Sequence, residues 1–343
     1  MFSFFTKPRA VTALINDVVI TVRPKETLLQ AALREGIDFP HSCRVGGCAT
    51  CKCQLVEGKV KELTQAGYIL SDDELDRGFI LACQSVPSTN VRIKVDTSHI
   101  EAHRKVSGRV VGQERLTHDI VHLRIQLDES LPYKAGQFAQ LSVQDLPGVA
   151  RSFSFATRVQ PNSQVSFFVR KVPDGVFTSH VHAQSLVSSR VSVEGPGGNF
   201  WLRPASAPLL LIAGGSGLAP ILALLQEALH EGVKRPATLI FGARTQADLY
   251  ALEDIGEISR RWPEAFTFLP ILSQEPEPSS WTGRLGLVTD LIPERLRPGC
   301  HAYLCGPPAM IDAVTALLLQ HGVDRAHIHA DRFTTQHDVS AAA

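Results

Sequence analysis

Hydrophobic and polar positions divide the chain into three stretches of different rhythm. The first opens on the β-rich run Val18-Val-Ile-Thr-Val22 and continues into a short helical pattern over residues 28–35, with Gly36 placed to end it. A Cys-rich stretch follows, and Val91-Arg-Ile-Lys-Val95 alternates as a closing strand. Residues 96–105 are polar and read as a linker. The second stretch is made of short alternating runs, among them Ile120-Val-His-Leu-Arg-Ile125, Phe138-Ala-Gln-Leu-Ser-Val143 and Val165-Ser-Phe-Phe-Val169. Turn residues separate them at short intervals, which predicts an antiparallel barrel. The third stretch changes rhythm again. Leu209-Leu-Leu-Ile212 is uninterrupted apolar text, as in a strand covered on both faces. Leu218, Ile221, Leu222, Leu225 and Leu229 then recur at helical spacing. Ala237-Thr-Leu-Ile-Phe241 and His301-Ala-Tyr-Leu304 are further strands, and Ile311, Val314, Leu317 and Leu318 line a second helix ending near Gly322. Strands alternating with helices predict a parallel sheet.

A length of 343 residues fits two or three domains. Thirty-four basic side chains balance 34 acidic ones, which argues against a nucleic-acid partner. The strongest apolar run, residues 209–213, is far shorter than the roughly 18 residues a membrane span needs. The apolar start, Met1-Phe-Ser-Phe-Phe5, reaches Lys7, Pro8 and Arg9 without a secretory layout. A cytoplasmic protein without a membrane partner is expected, and its seven cysteines are then not a disulfide framework.

Five of those cysteines lie between positions 43 and 83, and the other two are Cys300 and Cys305. Cys43, Cys48, Cys51 and Cys83 have the spacing C-x4-C-x2-C-x31-C, the plant-type pattern for a [2Fe–2S] cluster. A compact loop supplies three thiolates and can aim backbone N–H groups at them, with Gly46 and Gly47 allowing the curl. Zinc sites favour two short pairs or Cys/His combinations, and this is a triplet with a distant singlet. Cys53 reads as a small core residue, and His41 as structural or solvent-facing.

The motif His41-Ser-Cys-Arg-Val-Gly-Gly-Cys-Ala-Thr-Cys51 resembles the reductase components of bacterial aromatic-ring and toluene- or phenol-type oxygenases. The resemblance runs from about Val11 to Phe333 and implies a plant-type ferredoxin fused to a ferredoxin–NADP reductase-like module. The implied architecture is multidomain, α+β and α/β. It comprises a β-grasp ferredoxin domain over 1–96, an antiparallel flavin-binding β-barrel over 105–204 and a parallel-sheet nucleotide-binding domain over 207–336. Where the family usually has Gly after the second cluster cysteine, this chain has Ala49, at about 1 kcal/mol if that position needs positive φ.

Arg151-Ser152-Phe153-Ser154 looks like the family's R-x-Y-S flavin motif. A guanidinium suits a diphosphate, an aromatic ring can pack on the flavin, and a hydroxyl can bond flavin N5 where hydride arrives. Without that context the run is an ordinary strand with one surface Arg. The stretch containing Val169, Lys171, Gly175, Val176 and Thr178 resembles the family's loop-to-helix pyrophosphate segment, while Pro173-Asp-Gly175 also fits a plain turn. Gly214, Gly215, Ser216 and Gly217 follow a strand and open a helix, resembling the family's nicotinamide-dinucleotide loop. Cys305, Gly306 and Pro307 match its C-G-x-P signature, implying that Cys305 lies beside the nicotinamide; a buried thiol without that role is the other reading. Arg244 and Asp248 fall in the region that meets the adenosine ribose. An acid favours NADH and an Arg can accept a 2′-phosphate, so the residues leave the coenzyme open, and the family points to NADH. Phe333 resembles the C-terminal aromatic near the flavin, or it caps the core. His327 and His329 alternate on a strand without a third ligand.

The implied activity is electron transfer from NAD(P)H through FAD to the [2Fe–2S] cluster and on to an oxygenase or its ferredoxin, by a monomer in which Ser154 and Cys305 serve the hydride step. The Val176-Phe-Thr178 and Trp281-Thr-Gly283 runs resemble reductases of deoxysugar dehydrases as well. A redox-sensing protein with an inactive flavin module is a third reading.

Overall fold

The computed structural model describes residues 9–41, 46, 50–64, 66, 70, 72–97 and 104–333. The described residues fall into two compact units: those within 9–97 together with 197–199, and those within 104–196 together with 200–333.

In the first unit, strands β1 (Val11–Ile15) and β2 (Val18–Val22) form a hairpin whose turn holds Asn16 at φ 50°. Helix α1 (Leu28–Arg34) starts where the sequence supplies a cap. The Thr27 hydroxyl accepts from Gln30 N, and the Gln30 side chain accepts from Thr27 N. The helix ends at Gly36, whose φ of +74° is the left-handed turn a stop requires. Strands β3 (Lys52–Glu57), β4 (Val60–Glu62), helix α2 (Asp72–Asp76), β5 (Phe79–Leu81), β6 (Ser85–Pro87) and β7 (Val91–Lys94) follow. Their five-stranded mixed sheet has the order β2-β1-β7-β3-β5, with β1 and β7 parallel. Leu28, Leu29, Ala31 and Ala32 of α1 are buried in one core with Ala13, Ile15 and Ile93 of the sheet, the β-grasp arrangement.

The second unit begins with β8 (Arg104–Arg115), β9 (Ile120–Leu127), β10 (Phe138–Val143), β11 (Ala150–Ser154), β12 (Gln164–Arg170), helix α3 (Val176–Ala183) and β13 (Arg190–Gly197). The antiparallel order β11-β10-β13-β8-β9-β12 nearly closes on itself, because a bridge between Phe155 and Phe167 joins the two edges. Alternation puts Val165, Phe167 and Val169 of β12 into the barrel core. Phe168 is buried as well, on the other face, against the parallel-sheet core with Leu218 and Tyr250.

The chain then enters β14 (Leu209–Gly214), α4 (Leu218–His230), β15 (Ala237–Ala243), α5 (Leu252–Arg261), β16 (Phe266–Leu272), β17 (Arg284–Leu285), α6 (Val288–Arg295), β18 (His301–Gly306), α7 (Pro308–Gln320) and β19 (Ile328–Arg332). All six strands are parallel, in the order β17-β16-β15-β14-β18-β19. Every residue of β14 is buried, as its unbroken apolar text predicts. The chain reverses direction across the sheet at β14, so a crevice opens at the carboxyl ends of β14 and β18.

Candidate functional site

That crevice is built by two interlocking loops. From β14 the chain passes through Gly215–Gly217 straight into α4. From β18 it passes through Gly306 and Pro307 into α7, with Pro308 at the helix start. A Cβ on Gly217 would stand 2.2 Å from the Cys305 carbonyl oxygen, and one on Gly214 would stand 2.6 Å from Met310 Sδ. Gly306, at φ +156°, lies against the Gly214 backbone in turn. Only glycine permits this approach. Gly215 differs: its Cβ direction is open, with Arg170 Nη1 nearest at 4.0 Å, and its carbonyl accepts the Tyr250 hydroxyl at 2.9 Å. The small-residue cradle at a helix start fits a dinucleotide pyrophosphate.

Cys305 is fully buried, and burial, then the Asp331 charge, pushes its thiol well above the ordinary range. It stays protonated at neutral pH. Phe333 donates its N–H to the Gly306 carbonyl at 3.0 Å and packs on the same core. Cys300 is buried on the opposite face, with Leu304 and Ile311.

On the barrel, Arg151 and Ser152 are exposed on edge strand β11, Phe153 is half-buried and Ser154 is buried. The Arg151 guanidinium bonds its neighbour's carbonyl, Ala150 O, at 2.7 Å, and the Phe153 ring lies 5.4 Å from that of Phe177. The loop from β12 into α3 is both a turn and a helix start. Gly175 N bonds Val172 O at 3.0 Å, and Gly175 is the N-cap, with no side chain capping the first turn. The uncapped N–H groups fit a diphosphate, and the exposed Arg151 stands two residues along β11 from Phe153, whose ring meets that of Phe177 in α3. Thr178 acts inside this loop: its hydroxyl accepts from Val172 N at 3.1 Å and donates to Gly175 O at 3.2 Å. The Val169 side chain lies in the barrel core and its carbonyl bonds His182 Nε2 at 3.0 Å, so neither faces a ligand. Lys171 and Val176 are exposed.

Arg244 and Asp248, expected near the adenosine ribose, join a charged cluster whose other members, Asp119 and Arg170, the sequence did not single out. The Asp119 carboxylate takes Arg170 Nε at 3.2 Å and Arg244 Nη2 at 3.0 Å, and Arg244 also meets Asp248 at 3.1 Å. Asp248 further accepts from Thr245 N at 3.0 Å. Burial raises the Asp119 carboxyl, but the Thr117 hydroxyl and both guanidiniums outweigh it and hold the group below its usual value. Arg170 stood between Val169 and Lys171 in a run already singled out, and strand alternation, which turns Val169 inward, was the signal for it.

In the first unit, Cys51 and Cys83 come together: Cys83 N donates to Cys51 Sγ at 3.5 Å, and Ala82 N to Cys51 O at 3.0 Å. An N–H aimed at a cysteine sulfur fits a thiolate ligand of an iron–sulfur cluster. Gly46 takes φ +81°. Cys43, Gly47, Cys48 and Ala49 lie outside the described residues. Cys53 is buried in the sheet, and burial raises its thiol well above the ordinary range. His41 Nδ1 bonds the Phe39 carbonyl at 2.7 Å. His327 stacks on His301 at 4.2 Å, and His329 on Tyr303 at 4.8 Å.

Comparison with known proteins finds three matching segments. Residues 12–88 match the family described as 2Fe-2S iron-sulfur cluster binding domain. Residues 107–201 match the oxidoreductase FAD-binding domain and 211–316 the oxidoreductase NAD-binding domain. The xylene/toluene monooxygenase electron transfer component XylA of Pseudomonas putida is 39% identical over 311 residues, 90% of this chain and 89% of its own length. The phenol 2-monooxygenase reductase component DmpP of Pseudomonas sp. (strain CF600) is 37% identical, covering 93% of each chain. The crystal structure of the Amycolatopsis cytochrome P450 reductase GcoB superposes with a TM-score of 0.73 at 32% identity, over 95% of this chain and 99% of that one.

Proposed function

The chain belongs to the reductase components of oxygenase systems, oxidoreductases that carry electrons from NADH through FAD to a [2Fe–2S] cluster; on that premise we propose that its acceptor is a terminal oxygenase or that oxygenase's ferredoxin, and that the residues described above serve these groups. The flavin supplies the exchange between two-electron and one-electron chemistry.

The chain's own residues divide the rest of the work. Arg151, with the first-turn N–H groups at Gly175 and Val176, binds the flavin diphosphate. Ser152 lies on the same exposed edge, Phe153 offers a ring face, and Ser154 holds a hydrogen bond at flavin N5. Thr178 keeps the α3 loop in shape. Gly214 to Gly217 receive the NADH pyrophosphate at the start of α4, and the Tyr250 hydroxyl fixes the loop by its bond to Gly215. Cys305, Gly306 and Pro307 orient the nicotinamide from the β18 side, with a thiol that keeps its proton and so does not compete as a nucleophile. Phe333 covers the same end. Cys43, Cys48, Cys51 and Cys83 ligate the cluster.

One observation carries the reading: the Gly214–Gly217 and Cys305–Pro307 segments interlock at the sheet crevice, inside the unit that also holds the Arg151–Ser154 strand. The proposal includes domains over 1–96, 105–204 and 207–336, and a cytoplasmic monomer without a nucleic-acid partner, in keeping with balanced charge. The test is visible absorbance of the purified protein. Flavin and iron–sulfur bands that NADH bleaches are expected, and turnover of a terminal oxygenase should follow when one is added. A colourless protein, or bands that NADH leaves untouched, would end the proposal.

A further inference from the structure

The cluster around Arg244 stands where coenzyme choice is made. In an open parallel sheet whose first strand ends in the pyrophosphate loop, the adenosine ribose lies at the end of the neighbouring strand. That strand is β15, and Arg244 follows it directly. A lone arginine there is a ready receptor for a 2′-phosphate. This one is not alone. A single guanidinium nitrogen, Nη2, lies 3.0 Å from Asp119 Oδ2, 3.1 Å from Asp248 Oδ1 and 3.4 Å from His118 Nε2. His118, Asp119 and Asp248 offer ligand atoms within 4.8 Å of one another, a spacing that would suit a metal ion, and Arg244 occupies the place such a cation would take.

We propose that Asp119, reaching from the barrel strand region to the nucleotide-binding sheet, holds Arg244 in a closed ion-pair network and thereby makes the protein selective for NADH over NADPH. The inference rests on the placement of NADH given above. Two carboxylates balance the two guanidiniums of Arg170 and Arg244, so the cluster offers no net positive charge to a 2′-phosphate. With Nη2 committed to both carboxylates, a 2′-phosphate could meet only the remaining guanidinium nitrogens, and there it would face the largely buried Asp119, whose side chain is 14% exposed, across the same arginine. NADH asks nothing of Arg244. Asp119 acts through Arg244 and is a positioning residue.

The experiment compares binding of 5′-AMP and 2′,5′-ADP to the flavin- and iron-loaded full chain by titration calorimetry, with NADH and NADPH kinetics alongside. The parent protein should bind 5′-AMP more tightly. Asp119→Asn should raise 2′,5′-ADP affinity about tenfold, the scale of one ion pair, and leave 5′-AMP within about twofold. The ratio of kcat/KM for NADPH to that for NADH should rise by the same factor, whereas damage to the fold alone would lower both together. In the Asp119→Asn background, Arg244→Ala should erase the gain. If the aspartate variant fails to fold, the parent's own preference decides: 2′,5′-ADP bound as tightly as 5′-AMP would mean that Arg244 already serves the phosphate and the proposal is wrong. If 5′-AMP binds normally and Asp119→Asn leaves 2′,5′-ADP unchanged, this inference fails while the nucleotide site stands. If the parent binds neither ligand, the site placement itself fails.

Discussion

Gly217→Ala is the sharpest perturbation the crevice allows. The added methyl would lie 2.2 Å from the Cys305 carbonyl oxygen, 2.5 Å from its carbon and 2.9 Å from Gly306 N. Ordinary contact begins about 1 Å further out. All three atoms are backbone, and Cys305 is locked in register with Ala213 in the middle of the sheet. Relief therefore means moving β18 or the start of α4, not rotating a side chain. Overpacking of this kind costs about 3 kcal/mol. Against it stands a gain of about 0.5–1 kcal/mol, because φ of −61° at Gly217 suits alanine and the unfolded chain loses freedom. The net is a loss of about 2 kcal/mol, or roughly 4–8 °C in the melting temperature of a unit this size.

Gly256→Ala is the matched control. It lies inside α5, and its Cβ would meet only Arg260 Nη1 at 3.5 Å. Helix propensity alone then operates, and stability should rise by about 0.5–1 kcal/mol. Scanning calorimetry on both variants, with stopped-flow reduction by NADH, tests the pair. Gly217→Ala should melt early and require more NADH for half-maximal rate, and Gly256→Ala should melt late with unchanged kinetics. If the two shift alike, close packing of the loops is not what holds glycine at 217.

Two further outcomes follow from buried polar groups. Burial first, then Arg124, lowers His122 to about 4, and burial first, then Arg203, lowers His329 to about 4. Both stay neutral in the fold but take a proton in the unfolded chain below the ordinary 6.5, so their stabilising effect is complete above 6.5 and drains away as pH falls toward 4. Each contributes on the order of 1–2 kcal/mol after allowance for solvent screening, and urea melts should show stability falling from pH 7.5 to 5, with a shallower fall in His329→Gln; equal slopes would refute the assignment. Tyr250→Phe removes the bond to the Gly215 carbonyl, worth about 1 kcal/mol. KM for NADH should rise several-fold with kcat nearly unchanged, and an unaltered KM would show that the loop needs no such anchor.

What could be read along the chain was what the chain encodes locally. The unbroken run 209–212 predicted a doubly covered strand because both faces of β14 are enclosed. The 3.6-residue rhythm from Leu218 located α4 because one helix carries both its apolar face and its period. The cysteine triplet was legible for the same reason: its spacing lies within one short loop. The Asp119 network was not, since Arg170 lies 51 residues from Asp119 and Arg244 lies 125 from it. No period links such positions. Alternation also misled on β12, where Phe168 ought to be exposed if Val165, Phe167 and Val169 face the core. A second hydrophobic layer covers the outer face there, so both faces are buried.

The glycines at 214–217 show how a weak local signal becomes a specific one. Small residues between a strand and a helix are a common turn device, and nothing in that string alone demands a ligand. What distinguishes this turn is the neighbour that arrives 88 residues later, when β18 sets the Cys305 carbonyl where a Gly217 side chain would be. The same packing leaves Gly215 facing open space and holds its carbonyl by Tyr250. Gly214 and Gly217 are therefore fixed by protein contacts, whereas Gly215 is glycine for another reason: its φ of +55° is left-handed backbone in which a side chain is strained. Steric lock at Gly214 and Gly217 and a left-handed turn at Gly215 hold the loop in one shape before any ligand arrives, and Gly215→Ala should accordingly cost about 1–2 kcal/mol of stability as well as weaken NADH binding.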